Sequence, residues 1–224
     1  IPTNFIKILK NESQLASQLY SDQSFYKQYK SFTNKKKELV LISRYDGEIE
    51  RSIIEIRDIN DFKLLYRYSP DIKKLIDKTD FSKKEFSAIK DNLTIKRYHF
   101  WHPIINKNGE FIFHSGSPLI KTNFCGDILW INNVDRFHHS INIQGNFIWV
   151  PSRIFPNSLD YKIVGKNPKD FNDDAITKVS NDGKIIYQKS VAKILLENDM
   201  QNLLFSSENF NKNPIHLNDI EPVN

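Results

Sequence analysis

The 224-residue sequence is 39% hydrophobic and 12% aromatic, a composition that excludes an intrinsically disordered chain. The formal net charge is +5, but acidic residues separate most of the lysines, and the one dense cluster, Lys35–Lys37, is typical of a solvated loop rather than a nucleic-acid site. The single cysteine, Cys125, excludes an internal disulfide framework, no apolar run is long enough to span a membrane, and no glycine-rich phosphate loop supports a nucleotide cofactor.

The first predicted element is a surface helix over residues 11–30, within an N-terminal helical or linker segment 1–37. From Glu38 the apolar period changes to two, which begins a predicted all-β domain over 38–224. Turn residues separate its first three predicted strands, which lie within 38–47, 51–61 and 62–68.

Two helical pieces interrupt the predicted strands. Ser82 and Glu85 have the spacing of a capping box, which predicts a short helix in the insertion that follows the first strands. A further helical piece is predicted near residues 190–199.

The remaining strands belong to an internal repeat. Residues 102–113, "HPIINKNGEFIF", align without gaps to residues 138–149, "HHSINIQGNFIW", and the hairpin-like segments 118–130 and 175–187 follow them. Repeated units of four short strands predict the blades of a β-propeller, here about three of them. An immunoglobulin-like sandwich is the alternative, but it does not predict a repeated unit.

Histidines occupy the start of the repeats, at His102, at the pair His138–His139 and at His216. In a propeller the first strand of each blade lines the central channel, so these side chains would converge. Imidazolium donates hydrogen bonds to anions, and neutral imidazole is a nucleophile. The competing interpretation is a structural, hydrogen-bonded role, which suits His102 because it precedes a proline.

Other polar motifs predict less chemistry. His99 and His102 have a metal-pair spacing for a helix, but they lie in a strand-like stretch, so no metal site is predicted. His114 lies in "FHSGSP", which lacks a nucleophile elbow and is interpreted as a loop. Asp173 and Asp174 suit a calcium-binding pair or a turn pair, and the turn is the favoured interpretation. No cofactor is predicted.

Three segments carry a resemblance to a known family. "CGDILWINNVDRFHHSINIQGNFIWVP", "DDAITKVSNDGKIIYQKSV" and "PIHLNDIEPV" resemble the bacterial arylsulfotransferases, from about residue 38 to the end of the sequence. The resemblance implies a six-bladed propeller, export to the periplasm, and transfer of a sulfuryl group from an aryl sulfate to a phenol through a sulfated histidine.

The resemblance also implies roles for individual residues. His138 and His139 match the family's His-His-Asp-like blade start, with Ser140 in place of the acidic residue, while His216 and Asn218 match a His-x-Asn blade start.

We therefore expect His139 and His216 to donate to the sulfuryl oxygens, with His138 as the substitute and Asn218 and His102 as substrate-binding residues. His139 directly precedes the position that is acidic in the family, whereas the internal repeat pairs His138 with His102, so both remain candidates.

The family's channel arginine and nucleophilic histidine follow its "HLND" segment. Both are expected beyond Asn224, so residues 1–224 alone are predicted to be inactive. A rival hypothesis, which Ser140 supports, is a non-catalytic propeller that binds a ligand or a protein. A structural surface-display repeat protein is a third hypothesis, but it leaves the histidine pattern unexplained. The sequence does not predict the oligomeric state.

Overall fold

The computed structural model describes residues 36, 38–90, 93–159, 171–205 and 213–223. The helix predicted over 11–30 and almost all of the segment 1–37 lie outside the described residues. Within them, strands form most of the regular structure and the helices are short. The prediction of an all-β fold with helical insertions is therefore confirmed for the part of the chain that the structure describes.

The strands group into three antiparallel sheets in chain order. Sheet 1 contains β1 (Leu39–Asp46), β2 (Arg51–Asp58) and β3 (Leu64–Tyr68), and sheet 2 contains β4 (Trp101–Ile105), β5 (Phe111–His114), β6 (Leu119–Thr122) and β7 (Ile128–Asn132). Sheet 3 contains β8 (Arg136–Phe137), β9 (Asn142–Gln144), β10 (Phe147–Arg153), β11 (Asp174–Ser180) and β12 (Ile185–Ser190).

Four short helices connect or flank the sheets. They are α1 (Ile72–Ile76), α2 (Lys84–Lys90), α3 (Val191–Glu197) and α4 (Asn202–Phe205). Asp71 caps α1 and Ser190 caps α3, each accepting a hydrogen bond from the backbone three residues later. The helices predicted after Ser82 and near 190–199 are present as α2 and α3, and α1 and α4 are additional.

Sheet 2 lies between the other two sheets. Alternate residues of its strand β5 point to opposite faces, so β5 packs against both neighbours. Phe111 and Phe113 pack toward sheet 1 in a cluster with Ile54 and Tyr68. Ile112 packs toward sheet 3. The cluster toward sheet 3 also contains Leu119, Phe137, Ile141, Ile148, Val150 and Val179.

Polar contacts align sheets 2 and 3. Nζ of the buried Lys121 donates to Oδ1 of Asn181 at 2.9 Å, and Nε1 of Trp130 donates to the carbonyl oxygen of Asn181 at 3.0 Å. Gly183 lies directly against Trp130, since an added Cβ would come 2.7 Å from its Cδ2 atom. Three sheets stacked face to face fit the blade prediction, but they do not close a ring, so the propeller stays a prediction.

Candidate functional site

Three histidines share an uncommon backbone conformation. The φ angles of His102, His139 and His216 are +40°, +59° and +47°. Positive φ is infrequent for residues with a side chain, although histidine tolerates it better than most. We call these three residues the left-handed histidines. Their common conformation makes His139, rather than His138, the backbone equivalent of His102.

Two of the left-handed histidines lie side by side. The ring centroids of His139 and His216 are 5.2 Å apart. Trp101 flanks the pair, with its ring 6.4 Å from that of His139 and tilted by only 23°. Burial, together with the neighbouring His138, His216, His102 and Arg153, lowers the pKa of His139.

The tautomer of His216 follows from one neighbour. Nδ2 of Asn213 lies 2.7 Å from Nδ1 of His216. With the amide nitrogen as donor, Nδ1 is the acceptor, so the neutral ring carries its proton on Nε2. His216 therefore presents an N–H donor at the nitrogen that Asn213 leaves free.

His114 holds the backbone of His139 from below. It is fully buried, its Nδ1 accepts from the backbone N–H of Gly116 at 3.2 Å, and its Nε2 lies 3.1 Å from the carbonyl oxygen of His139. Nε2 must therefore carry the proton and donate. Burial is the main reason that the pKa of His114 is lowered to about 3, so the ring is neutral. The prediction of a loop over residues 113–118 holds for 115–118 but is wrong for Phe113 and His114, which end β5.

A buried carboxylate lies next to His138. Oδ1 of Asp174 is 3.2 Å from Nε of Arg153 and 3.3 Å from Nε2 of His138, and its Oδ2 accepts from the backbone N–H of Leu217 at 2.9 Å. Burial would raise the pKa of Asp174, but the His138 ring, Leu217 and Arg153 lower it overall.

The interpretation of Asp173 and Asp174 as a turn pair is wrong. Asp174 is the first residue of β11, and Asp173 precedes that strand and accepts from the hydroxyls of Ser158 and Ser190. Both carboxylates are buried by long-range contacts, which local sequence does not reveal.

Ser140 contacts a second carboxylate, Asp219. The Ser140 hydroxyl donates to Oδ1 of Asp219, which also accepts from Nδ2 of Asn142 at 2.8 Å. The Ser140 hydrogen bond is the main cause of the lowered pKa of Asp219, so this group is ionised at neutral pH. A carboxylate from the last described segment therefore lies beside the serine at the position where the resemblance implies an acidic residue.

His102 lines an open cleft together with Ser140 and Asp219. The open cleft has a volume of about 510 Å³ and is lined by His102, Ser140, Asn142 and Asp219 together with Leu41 and Ser43 of β1. Asn218 lies at the edge of this group, where its carbonyl oxygen accepts from the backbone N–H of Ser140 at 3.2 Å. The structure thus joins His102, His138, His139 and His216 through shared neighbours, while Asn218 contributes a backbone contact.

The described ranges contain neither a cluster of metal-ligating side chains nor a helix that could span a membrane. His99 approaches Ser52 instead of pairing with His102, and the described residues contain no group of three or more His, Cys, Asp or Glu side chains that could hold a metal ion. None of the described helices has the length and apolar character needed to cross a membrane.

A comparison with family sequence profiles gives one decisive match. The profile described as Arylsulfotransferase (ASST) matches residues 102–224, which is more than half of the chain. The chain belongs to the arylsulfotransferase family. Among proteins of curated function, no sequence matches this family member.

The range that matches the family includes all three left-handed histidines. It begins at His102, so the first sheet lies outside the matched range although Leu41 and Ser43 of that sheet line the cleft. Sequence reasoning missed the carboxylates of Asp174 and Asp219 and the buried ring of His114. The sequence feature that could have indicated Asp219 is Ser140, which stands where the resemblance implies an acidic residue.

Proposed function

We propose that this chain supplies the sulfuryl-binding part of an enzyme that moves a sulfuryl group from an aryl sulfate to a phenol. The observation that carries the proposal is the side-by-side placement of His139 and His216, whose rings lie 5.2 Å apart. Two imidazoles held by fixed backbones can each direct an N–H donor to one small anion.

The chemistry needs positioned donors more than further covalent groups. In the proposed transfer, the sulfur–oxygen bond to the leaving phenol breaks while a sulfur–nitrogen bond to a histidine forms, and the leaving oxygen takes up a proton. The acceptor phenol then loses its proton as its oxygen displaces that histidine. The transferring group keeps its negative oxygens throughout, so donors that meet them stabilise both steps.

The neighbours of the histidines support an aromatic substrate. The Trp101 ring is 40% exposed and lies nearly parallel to His139, so it offers an aromatic face next to the proposed sulfuryl position. In this proposal His139 and His216 donate to the sulfuryl oxygens. His138 contacts Asp174 beside these two histidines, and His102 lines the entry cleft. The nucleophilic histidine that the resemblance implies is a further residue, and export to the periplasm stays a prediction.

The rival binding-module hypothesis rests on Ser140. The site still contains a carboxylate at this place, because the Ser140 hydroxyl donates to Asp219. The Asp219 carboxylate therefore compensates for the acidic side chain that Ser140 lacks, which removes the main support for a non-catalytic binding module.

The test is sulfate transfer by the full-length protein from 4-nitrophenyl sulfate to phenol. We expect His139→Ala and His216→Ala each to lower kcat/KM about 100-fold, the cost of removing one donor to a developing oxyanion. His99→Ala is the matched control, because His99 contacts Ser52 and should leave turnover unchanged. Absence of turnover in a folded full-length protein would overturn the proposal and favour the binding module.

A further inference from the structure

The side chains of Arg136, His138 and Arg153 form a second nitrogen-rich group on one face of sheet 3. This group lies beside the left-handed histidines and shares no residue with them. Arg136 and His138 are two residues apart, so their side chains leave the strand on the same face. The backbone N–H of His138 donates to the carbonyl oxygen of Pro151 at 3.1 Å, which extends the β8–β10 pairing beyond Phe137. Arg153 is the register partner of Arg136 and shares this face.

The positive charge on this face exceeds the negative charge that contacts it. Asp174 is already approached by Arg153, by His138 and by the backbone N–H of Leu217. Arg136 makes no ion pair with any residue that the structure describes, and its Nε atom is buried without a hydrogen-bond partner among them. One carboxylate therefore faces two guanidinium groups and an imidazole.

His138 has the same unmet capacity. It is 7% exposed, its Nδ1 has no hydrogen-bond partner among the described residues, and its Nε2 approaches only Oδ1 of Asp174, at 3.3 Å. Buried nitrogen atoms without partners are uncommon in folded proteins, so Arg136 Nε and His138 Nδ1 on one face of the same strand call for an explanation.

The electrostatics agree with the geometry. Burial and the adjacent Arg153 lower the pKa of Arg136. The folded protein thus holds a guanidinium in surroundings that disfavour its charge, and a bound anion would relieve that cost.

We propose that Arg136 and His138 form an oxyanion-binding site, separate from the left-handed histidines, that accepts a sulfate or a carboxylate group. The planar guanidinium can donate two parallel hydrogen bonds to such a group, and the imidazole can donate a third. The rings of His138 and His139 are 5.1 Å apart, so the anion would lie next to the proposed transfer site.

The test measures the thermal midpoint Tm of the full-length protein in sodium sulfate, sodium benzoate and sodium chloride at equal ionic strength. We expect sulfate or benzoate to raise Tm beyond the effect of chloride. Arg136→Gln should weaken the apparent affinity at least about tenfold, and Arg136→Lys, which retains the charge and tests for a folding defect, should weaken it less. Arg51→Gln is the matched control, because Arg51 is a half-buried arginine of β2 whose Nε also lacks a partner.

The variants separate this proposal from the proposed function. His139→Ala should lower kcat/KM about 100-fold yet keep the Tm response. A Tm response in a wild-type protein that shows no turnover would overturn only the sulfuryl-transfer proposal. A response to sulfate alone identifies the free tetrahedral anion as the ligand, whereas a response to benzoate identifies a carboxylate on an aromatic molecule. The oxyanion site is overturned if neither anion raises Tm, if Arg136→Gln responds like the wild type, or if His139→Ala removes the response.

Discussion

At the scale of single residues, His114 shows how a buried ring fixes an exposed one. Its hydrogen bond to the carbonyl oxygen of His139 fixes the peptide that follows a left-handed residue. The neutral state is required by its second contact, because a protonated ring would carry a hydrogen on Nδ1 that points at the backbone N–H of Gly116. Protonation of His114 therefore opposes the folded state.

The sign of the pH dependence follows from this pKa. The folded pKa of about 3 lies below the unfolded value of about 6.5, so the unfolded chain binds the extra proton first. The stability contributed by neutral His114 is complete above about pH 6.5 and is lost as the pH falls toward 3.

We expect the free energy of unfolding to fall by up to about 1.4 kcal/mol per pH unit from this residue between about pH 6.5 and 4.5, where most carboxylates are still ionised. His114→Gln should flatten that slope in urea titrations at several pH values, while His102→Gln, which removes an exposed histidine, should not. An unchanged slope in His114→Gln would contradict the assignment.

Sequence reasoning could not choose between His138 and His139, and the reason is local to the backbone. A strand pattern assumes that successive side chains point to opposite faces. The positive φ of His139 breaks this alternation at the histidine pair. β4 also has an irregular register between Trp101 and Ile104, next to His102, so an ungapped alignment of the repeats is offset there. The sequence does not encode that offset in any motif.

At the scale of elements, most of the strands could be predicted because their apolar alternation and turn residues are local. The β11–β12 hairpin is an example, with its turn at Gly183 matching the predicted segment 175–187. Helix α1 was missed because five residues are too few to show a period. Asp174 and Asp219 were missed because their partners are distant along the chain.

Gly183 is the hairpin position most sensitive to substitution. We expect Gly183→Ala to destabilise the protein by about 2–3 kcal/mol, because its φ is +86° and the new Cβ would meet Trp130 at 2.7 Å. Gly145→Ala is the matched control, since its φ is +60° with no atom within 4 Å, and should cost only about 1 kcal/mol. Urea unfolding measures both, and equal losses would show that Trp130 yields without strain.

At the scale of the whole molecule, sheet 2 couples the described sheets because it buries both of its faces. Phe113 is fully buried against sheet 1, and the adjacent Ile112 is buried against sheet 3. Neither outer sheet can lose its contact without exposing part of this central layer. The described sheets should therefore unfold together.

We expect Phe113→Ala to lower the free energy of unfolding by about 3–5 kcal/mol through the cavity it leaves. Tryptophan fluorescence, which reports sheets 2 and 3, should still coincide with far-ultraviolet circular dichroism in one transition. Phe147→Ala removes the same side chain from a site that is 37% exposed and should cost about 1 kcal/mol or less. Two separated transitions would show that the sheets are independent units.

The contact between Ser140 and Asp219 joins residues 79 positions apart. Closing so large a loop costs chain entropy before any contact compensates it, so contacts of this kind form late in folding. The ring of His216 reaches His139 only through the same returning segment. A newly made chain therefore acquires its sheets before its paired imidazoles, and an unfinished molecule would have a scaffold but no place for an anion to bind between them.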